Sequence, residues 1–197
     1  MGYLLENGIF TTLNEDAIRG ARDFSCGHPD LDDFFHNDSI AYSKSLFGKS
    51  YCFHAVDNRS DIICAFTVSN ASIFTNRLPN SRKKRIGSEV PYEKRDLIYP
   101  AVLIGRLGTN CKYQHHNIGT ELMDFIKAWF TEPRNKTGCR YLVVDAYNTE
   151  IPISYYKKNG FDFMFSSDEQ ERDYRAISND EPLKTRLMFF DLIRIMN

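Results

Sequence analysis

The chain has 197 residues, 42% of them hydrophobic, which is enough for one domain with a substantial core. Lysine and arginine number 25 against 26 aspartates and glutamates, a formal net charge of −1, so no global field draws it to nucleic acid or an acidic membrane. Any such partner must be met by a local patch. The five cysteines, Cys26, Cys52, Cys64, Cys111 and Cys139, are odd in number and scattered, which argues against a disulfide framework. No apolar run reaches the length of a membrane span, no charged-then-apolar leader stands at the N-terminus, and a reducing cytoplasm is the expected location.

In chain order, Pro29 suits a first helical turn and carboxylates cluster at its positive end, ahead of Leu31, Phe34, Phe35, Ile40 and Ala41. This predicts a helix of about three turns over Asp30–Ser43. Tyr51–Val56 and Ile62–Val68 are β-rich runs separated by the turn formers Asp57-Asn58-Arg59-Ser60-Asp61, an antiparallel hairpin in which Cys52 and Cys64 act as small buried hydrophobes. Residues 76–96 are polar, lack a period and read as a long loop with room for a helical turn. They carry the only dense basic run, Arg82-Lys83-Lys84-Arg85, whose plain reading is a solvated loop tip.

Leu97–Leu107 then reads as a strand interrupted by Pro100. Ile118, Leu122, Phe125, Ile126 and Trp129 follow at helical spacing, with the helix stopping near Pro133. Tyr141–Ala146 is a nearly continuous apolar strand of the kind buried on both faces, expected centrally. Pro152 and Ile153 open a short helix that ends at Asn159-Gly160, where glycine can take the left-handed conformation. Phe161–Phe165 and Leu187–Ile195 are the last two strand candidates. Strands and helices alternate in the second half, and helices and a hairpin fill the first, so the expected class is α/β: a mixed sheet covered on both sides. With no internal repeat and no linker, 1–197 reads as a single domain.

The loop Lys112-Tyr113-Gln114-His115-His116-Asn117-Ile118-Gly119 joins a strand directly to a helix. Such a junction aims several backbone N–H groups at one point, where they can hold an anion such as a pyrophosphate. His115 and His116 with Cys111 lack a second ligand pair, so no metal is expected. Protonated imidazoles there would favour phosphate.

Three segments together resemble the GNAT superfamily of acyl-CoA-dependent N-acyltransferases. They are Ile104-Gly105-Arg106-Leu107-Gly108-Thr109, Gln114-His115-His116-Asn117-Ile118-Gly119, and Tyr156 with Gly160-Phe161. The resemblance implies a largely antiparallel sheet whose central strands splay, flanked by helices, and acetyl-CoA as co-substrate without a metal. It implies that Leu107, Gly108 and Thr109 meet the pantetheine arm as an added strand would. The backbone of Gln114, His115, His116, Asn117, Ile118, Gly119 and Thr120 would hold the pyrophosphate, with Asn148 a further cofactor contact. Asn117 departs from the family's glycine, although asparagine tolerates a left-handed backbone better than most residues.

By the same resemblance Tyr156 is the catalytic residue, its phenol protonating the sulfur that leaves when a primary amine attacks the thioester. The interval to Gly160-Phe161 selects Tyr156, whereas the interval from Asn148 leaves Tyr155 as a rival. Glu89, Glu150, His54 and His115 are each chemically able to serve as the base, and the sequence does not choose among them.

Phe24-Ser25-Cys26-Gly27, followed by Leu31-Asp32-Asp33-Phe34 and Gly105-Arg106-Leu107, resembles the branch of the superfamily that includes toxins acetylating the amino group of aminoacyl-tRNA. That resemblance implies an antitoxin partner and a tRNA whose phosphates meet Arg82, Lys83, Lys84 and Arg85. A homodimer is a further family expectation. The reading from sequence is thus acetyl transfer to a primary amine of a small molecule, a protein or an aminoacyl-tRNA; the toxin of a toxin-antitoxin pair is one alternative, and a catalytically silent CoA-binding module, which Asn117 keeps open, is another.

Overall fold

The computed structural model describes residues 2–21, 23–88, 90–91, 98–178 and 180–196. In chain order the elements are α1 (Tyr3–Asn7), β1 (Gly8–Thr12), α2 (Glu15–Gly20), α3 (Pro29–Asp33), α4 (Ser39–Lys44), β2 (Lys49–Ala55), β3 (Ile62–Phe74), α5 (Asn80–Ile86), β4 (Ile98–Thr109), α6 (Ile118–Thr131), β5 (Tyr141–Tyr147), α7 (Glu150–Lys158), β6 (Asp162–Phe163), α8 (Asp168–Arg175) and β7 (Thr185–Asp191). The strands form a seven-stranded sheet in the order β1-β2-β3-β4-β5-β7-β6. Contacts divide the chain into two compact units, Met1–Ser69 with Ile104–Ile126 and Asn70–Leu103 with Lys127–Asn197.

In the first unit β1 pairs antiparallel with β2, Gly8 opposite Ala55, and β2 with β3, Lys49 opposite Val68. The expected hairpin is present. Cys52 and Cys64 are buried within it. Its core gathers Phe24, Phe34, Phe35, Cys52, Ile62 and Ala65. The helix expected over Asp30–Ser43 has Pro29 in its first turn and runs to Lys44, but Phe34–Asp38 form a π turn between α3 and α4. Such a bulge rotates the following residues, and periodicity alone does not announce it. Ser39 Oγ donates to the Phe35 carbonyl at 2.8 Å there.

In the second unit β5 pairs with β7 along its whole length, from Tyr141 opposite Asp191 to Tyr147 opposite Thr185. Tyr141, Phe165, Phe189, Ile86 and Ile73 pack its core, and the buried Tyr141 hydroxyl donates to the Ile86 carbonyl at 2.6 Å. Several boundaries differ from expectation. The basic run lies on α5 and not in a loop, α7 begins at Glu150, and Leu187–Ile195 divides into the end of β7 and a 3₁₀ turn over Leu192–Ile195. Phe161–Phe165 contributes only the two-residue β6. Leu97 and residues 92–96 of the expected loop lie outside the described residues.

Helix α8 has no sequence counterpart because it has almost no apolar face: its one buried residue is Glu171. That carboxylate is fully buried, accepting the Leu187 N–H at 2.7 Å, Arg186 Nε at 2.7 Å and an Arg175 terminal nitrogen at 2.7 Å. Arg175 also reaches Asp145 on β5 at 2.7 Å. Charge pairing thus fastens α8 where another helix would use leucines, each partner satisfying a group whose burial alone would be costly.

Candidate active site

The strand-to-helix junction lies in the first unit, and buried Asn110 fixes its start. Asn110 donates through its side chain to the Ile62 carbonyl at 2.8 Å and through its backbone to Ile63 at 2.9 Å, and its side-chain oxygen accepts from Lys112 N–H at 3.0 Å. A 3₁₀ turn, Cys111–Tyr113, follows. Tyr113 donates its hydroxyl to Asp61 at 2.8 Å, and burial together with that carboxylate pushes its pKa up to about 12, so it stays a neutral donor. Gln114 crosses beneath the loop, its amide nitrogen 3.0 Å from the Cys26 carbonyl and 3.2 Å from that of Thr109. Its side chain therefore braces the loop, leaving the main chain to face a ligand.

His115 and Asn117 both have left-handed backbones, φ 68° and 60°, while His116 between them does not. Alternation of this kind turns successive N–H groups towards one side, forming an anion-binding concavity. The Asn117 carbonyl accepts from Thr120 at 3.0 Å and Glu121 at 3.2 Å, closing the first turn of α6. Among the described residues the N–H groups of Asn117 and Ile118 donate to nothing, as is general at a helix N-terminus, where an anion can be held. Glu121 is the acid of that first turn, and its two oxygens accept the Tyr3 and Leu4 N–H groups at 3.2 and 2.7 Å, which offsets its charge. The residues present fit a pyrophosphate, and Asn117 occupies the left-handed position that glycine would otherwise fill.

The other cofactor candidates divide by role. Gly108 is buried, and a Cβ there would lie 2.9 Å from Cys26 Cβ, so its smallness serves close packing. Ile118 points its side chain into the core, leaving only its backbone for a ligand. Leu107 is half-buried, and Thr109 already has its carbonyl engaged by Gln114. Asn148 lies in the second unit, its side chain donating to the Leu183 carbonyl at 2.9 Å and its backbone to Lys184 at 2.8 Å.

Tyr156 also belongs to the second unit, on α7. The helix closes with Gly160 at φ 81°, its N–H reaching the Lys157 carbonyl at 2.9 Å, while Phe161 N–H reaches Tyr156 at 3.0 Å. These paired bonds with their accompanying apolar contact make a Schellman closure. The Tyr156 and Phe161 rings lie 5.4 Å apart. The Tyr-x-x-x-Gly-Phe spacing is therefore a helix-ending device that fixes the tyrosine. Its hydroxyl has no hydrogen-bond partner among the described residues, and burial raises its pKa above the ordinary phenol value. Such a group remains a proton donor across the neutral range. Tyr155 packs against it, ring centroids 5.0 Å apart.

Of the candidate bases, His54 is buried in β2 with Nε2 3.3 Å from Cys52 Sγ, and burial lowers its pKa. An internal histidine of this kind cannot take a proton from a solvent-borne amine, which removes it as a candidate. Glu150 and His115 are exposed, and Glu89 lies outside the described residues.

Sequence reasoning missed Asn110, Tyr113 and Asp61 as loop anchors. It did register Ser25-Cys26 and Asp32, whose function is now geometric. Asp32 accepts from Ser25 Oγ at 2.6 Å and Cys26 N–H at 2.7 Å, shaping the turn whose carbonyl holds Gln114. Burial and then Asp32 push the Cys26 thiol up to about 12, so it is inert. The basic run is divided. Arg82 donates to the carbonyls of Phe163 and Met164 and so holds β6, Arg85 makes an exposed ion pair with Asp162, Lys84 is exposed and Lys83 half-buried.

No family profile matches the chain, and no curated protein sequence does. Solved structures match along nearly its whole length. AtaT complexed with acetyl-methionyl-tRNAfMet superposes with a TM-score of 0.67 at 18% identity, covering 96% of this chain and 98% of that one. A mutant of KacT gives 0.65 at 18% identity, with the same two coverages of 96% and 98%. AtaTR bound with AcCoA gives 0.60 at 16% identity, covering 97% of each chain. The chain has the GNAT fold. Among the described residues no helix is long and apolar enough to cross a membrane.

Proposed function

We propose that this chain moves an acetyl group from acetyl-CoA to a primary amine, and that the amine is carried by an aminoacyl-tRNA. The observation that carries the first part is the loop of His115, His116 and Asn117. Its alternating left-handed backbone, with the Asn117 and Ile118 N–H groups that donate to nothing among the described residues, suits a pyrophosphate. Acetyl-CoA supplies the acetyl group as an activated thioester. Gln114 to Thr120 hold its phosphates through the main chain, and Leu107 and Thr109 align its amide-bearing arm. As the amine nitrogen bonds to the acetyl carbon and the carbon–sulfur bond breaks, Tyr156 gives its proton to the departing sulfur. The amine's surplus proton passes to water.

The acceptor assignment draws on the Ser25-Cys26-Gly27 and Leu31-Asp32-Asp33 segments. It also draws on fold neighbours that include AtaT with an acetylated methionyl-tRNA and an AtaT mutant toxin bound to the C-terminus of the antitoxin AtaR and acetyl-CoA. A toxin held in check by an antitoxin is the corresponding biological reading. Calorimetric titration of acetyl-CoA into the wild type and Gly119→Glu tests the foundation. Binding by the wild type alone is expected, because a carboxylate at the head of α6 would occupy the phosphate seat. No binding by the wild type overturns the proposal.

A further inference from the structure

The Schellman closure of α7 delivers the chain into β6, which pairs with β7 at only two positions, Asp162 opposite Phe189 and Phe163 opposite Met188. Beyond the end of α7 an open cavity of about 450 Å³ is lined by Arg85, Lys157, Gly160, Phe161, Asp162, Phe163 and Arg194. Three cations face one carboxylate there. Asp162 accepts from Arg85 at 2.6 Å and from Arg194 at 3.2 Å. Lys157 has no carboxylate partner among the described residues, and its ammonium rests 4.8 Å above the Phe163 ring. In a chain of net charge −1 this is a local excess of positive charge.

The two ion pairs are exposed enough to be weak, so either guanidinium can turn to an incoming anion at little cost. An arginine fork and a point ammonium around a nucleotide-sized cavity suit a phosphodiester. A peptide is a poorer fit. Adding a strand at β6 needs its edge carbonyls, and those of Phe163 and Met164 accept from Arg82. Phe161 is buried, and Phe163 has Arg186 4.3 Å from its ring as well as Lys157, so no open apolar pocket awaits a side-chain anchor.

We propose that the groove of Arg85, Lys157 and Arg194 seats a backbone phosphate of the RNA acceptor. The inference rests on the aminoacyl-tRNA reading above. Lys157 follows Tyr156 directly on α7, so one helical turn carries both the phosphate contact and the proposed proton donor.

The test is fluorescence anisotropy with a labelled RNA minihelix, a tRNA acceptor stem with its single-stranded 3′ end, over a salt series. Lys157→Ala and Arg194→Ala should each weaken binding roughly three- to tenfold and reduce the salt slope by about 1, whereas Asp162→Asn should tighten it and Lys136→Ala should leave it unchanged. Unchanged affinity and slope in both alanine variants, or no minihelix binding by the wild type, overturns the proposal. So does a poly-glutamate peptide that loses affinity in these variants while the minihelix does not, which would assign the groove to an acidic protein segment. Acetyl-CoA titration of the same preparations separates the two proposals. Cofactor binding with unchanged minihelix affinity refutes the groove alone; lost minihelix affinity without cofactor binding refutes the acetyltransferase reading alone.

Discussion

Replacing Tyr156 by phenylalanine isolates one hydroxyl. The ring contacts to Tyr155 and Phe161, at 5.0 and 5.4 Å, survive the change. The oxygen removed has no hydrogen-bond partner among the described residues, and burial is the sole cause of its raised pKa. Deleting a hydroxyl that bonds to nothing among the described residues leaves no partner stranded, so stability should shift by less than about 0.5 kcal/mol. Acetyl-CoA affinity should also hold. Turnover should fall about a hundredfold or more, the contribution of a positioned general acid, which corresponds to a barrier higher by about 2.7 kcal/mol or more. Because the hydroxyl titrates above the ordinary phenol range, wild-type turnover should rise as the acceptor amine deprotonates and show no descending limb below about pH 10. The assay is thiol release from acetyl-CoA under saturating acceptor, with calorimetry and urea unfolding on the same protein. Wild-type turnover in Tyr156→Phe would refute the assignment, and a comparable loss in Tyr155→Phe alone would transfer it to the neighbour.

Gly160→Ala should destabilise the chain by about 1–2 kcal/mol, since its φ of 81° is left-handed and the new Cβ would lie 3.1 Å from Phe190 Cε2. Gly160→Asn should cost less; equal effects in urea unfolding would show that the closure does not govern the position. Glu171→Ala strands the buried Arg186 and the Leu187 N–H, and should cost roughly 3 kcal/mol or more in the same measurement. A change below about 1 kcal/mol would mean that water replaces the carboxylate.

Local pattern in the sequence determined much of this protein. The alternating β-rich runs around Asp57–Asp61 specified the hairpin, Pro29 the start of a helix, and Gly160 a helix end, because each follows from backbone preferences of the residues themselves. The polar run before an apolar helical stripe marked the strand-to-helix junction, the proposed anion seat, for the same reason: such a junction leaves backbone N–H groups without intrahelical partners. Helix α8 carried only a cap signature, Ser167 followed by acids, and lacked the apolar stripe that identifies a packed helix.

Tertiary structure alone decided the rest. Glu171 could be recognised as a buried anchor only once Arg175 and Arg186 closed on it, and His54 could be dismissed as a base only once β2 was seen to bury it. The basic run read as one solvated patch, but packing of α5 against β6 committed Arg82 to carbonyls and drew Arg85 together with Lys157 and Arg194, residues far apart in the chain. Backbone preference is local and legible in a string of residues. Which charges are spent inside the fold and which face outward depends on neighbours distant in sequence, and only the folded chain brings those together.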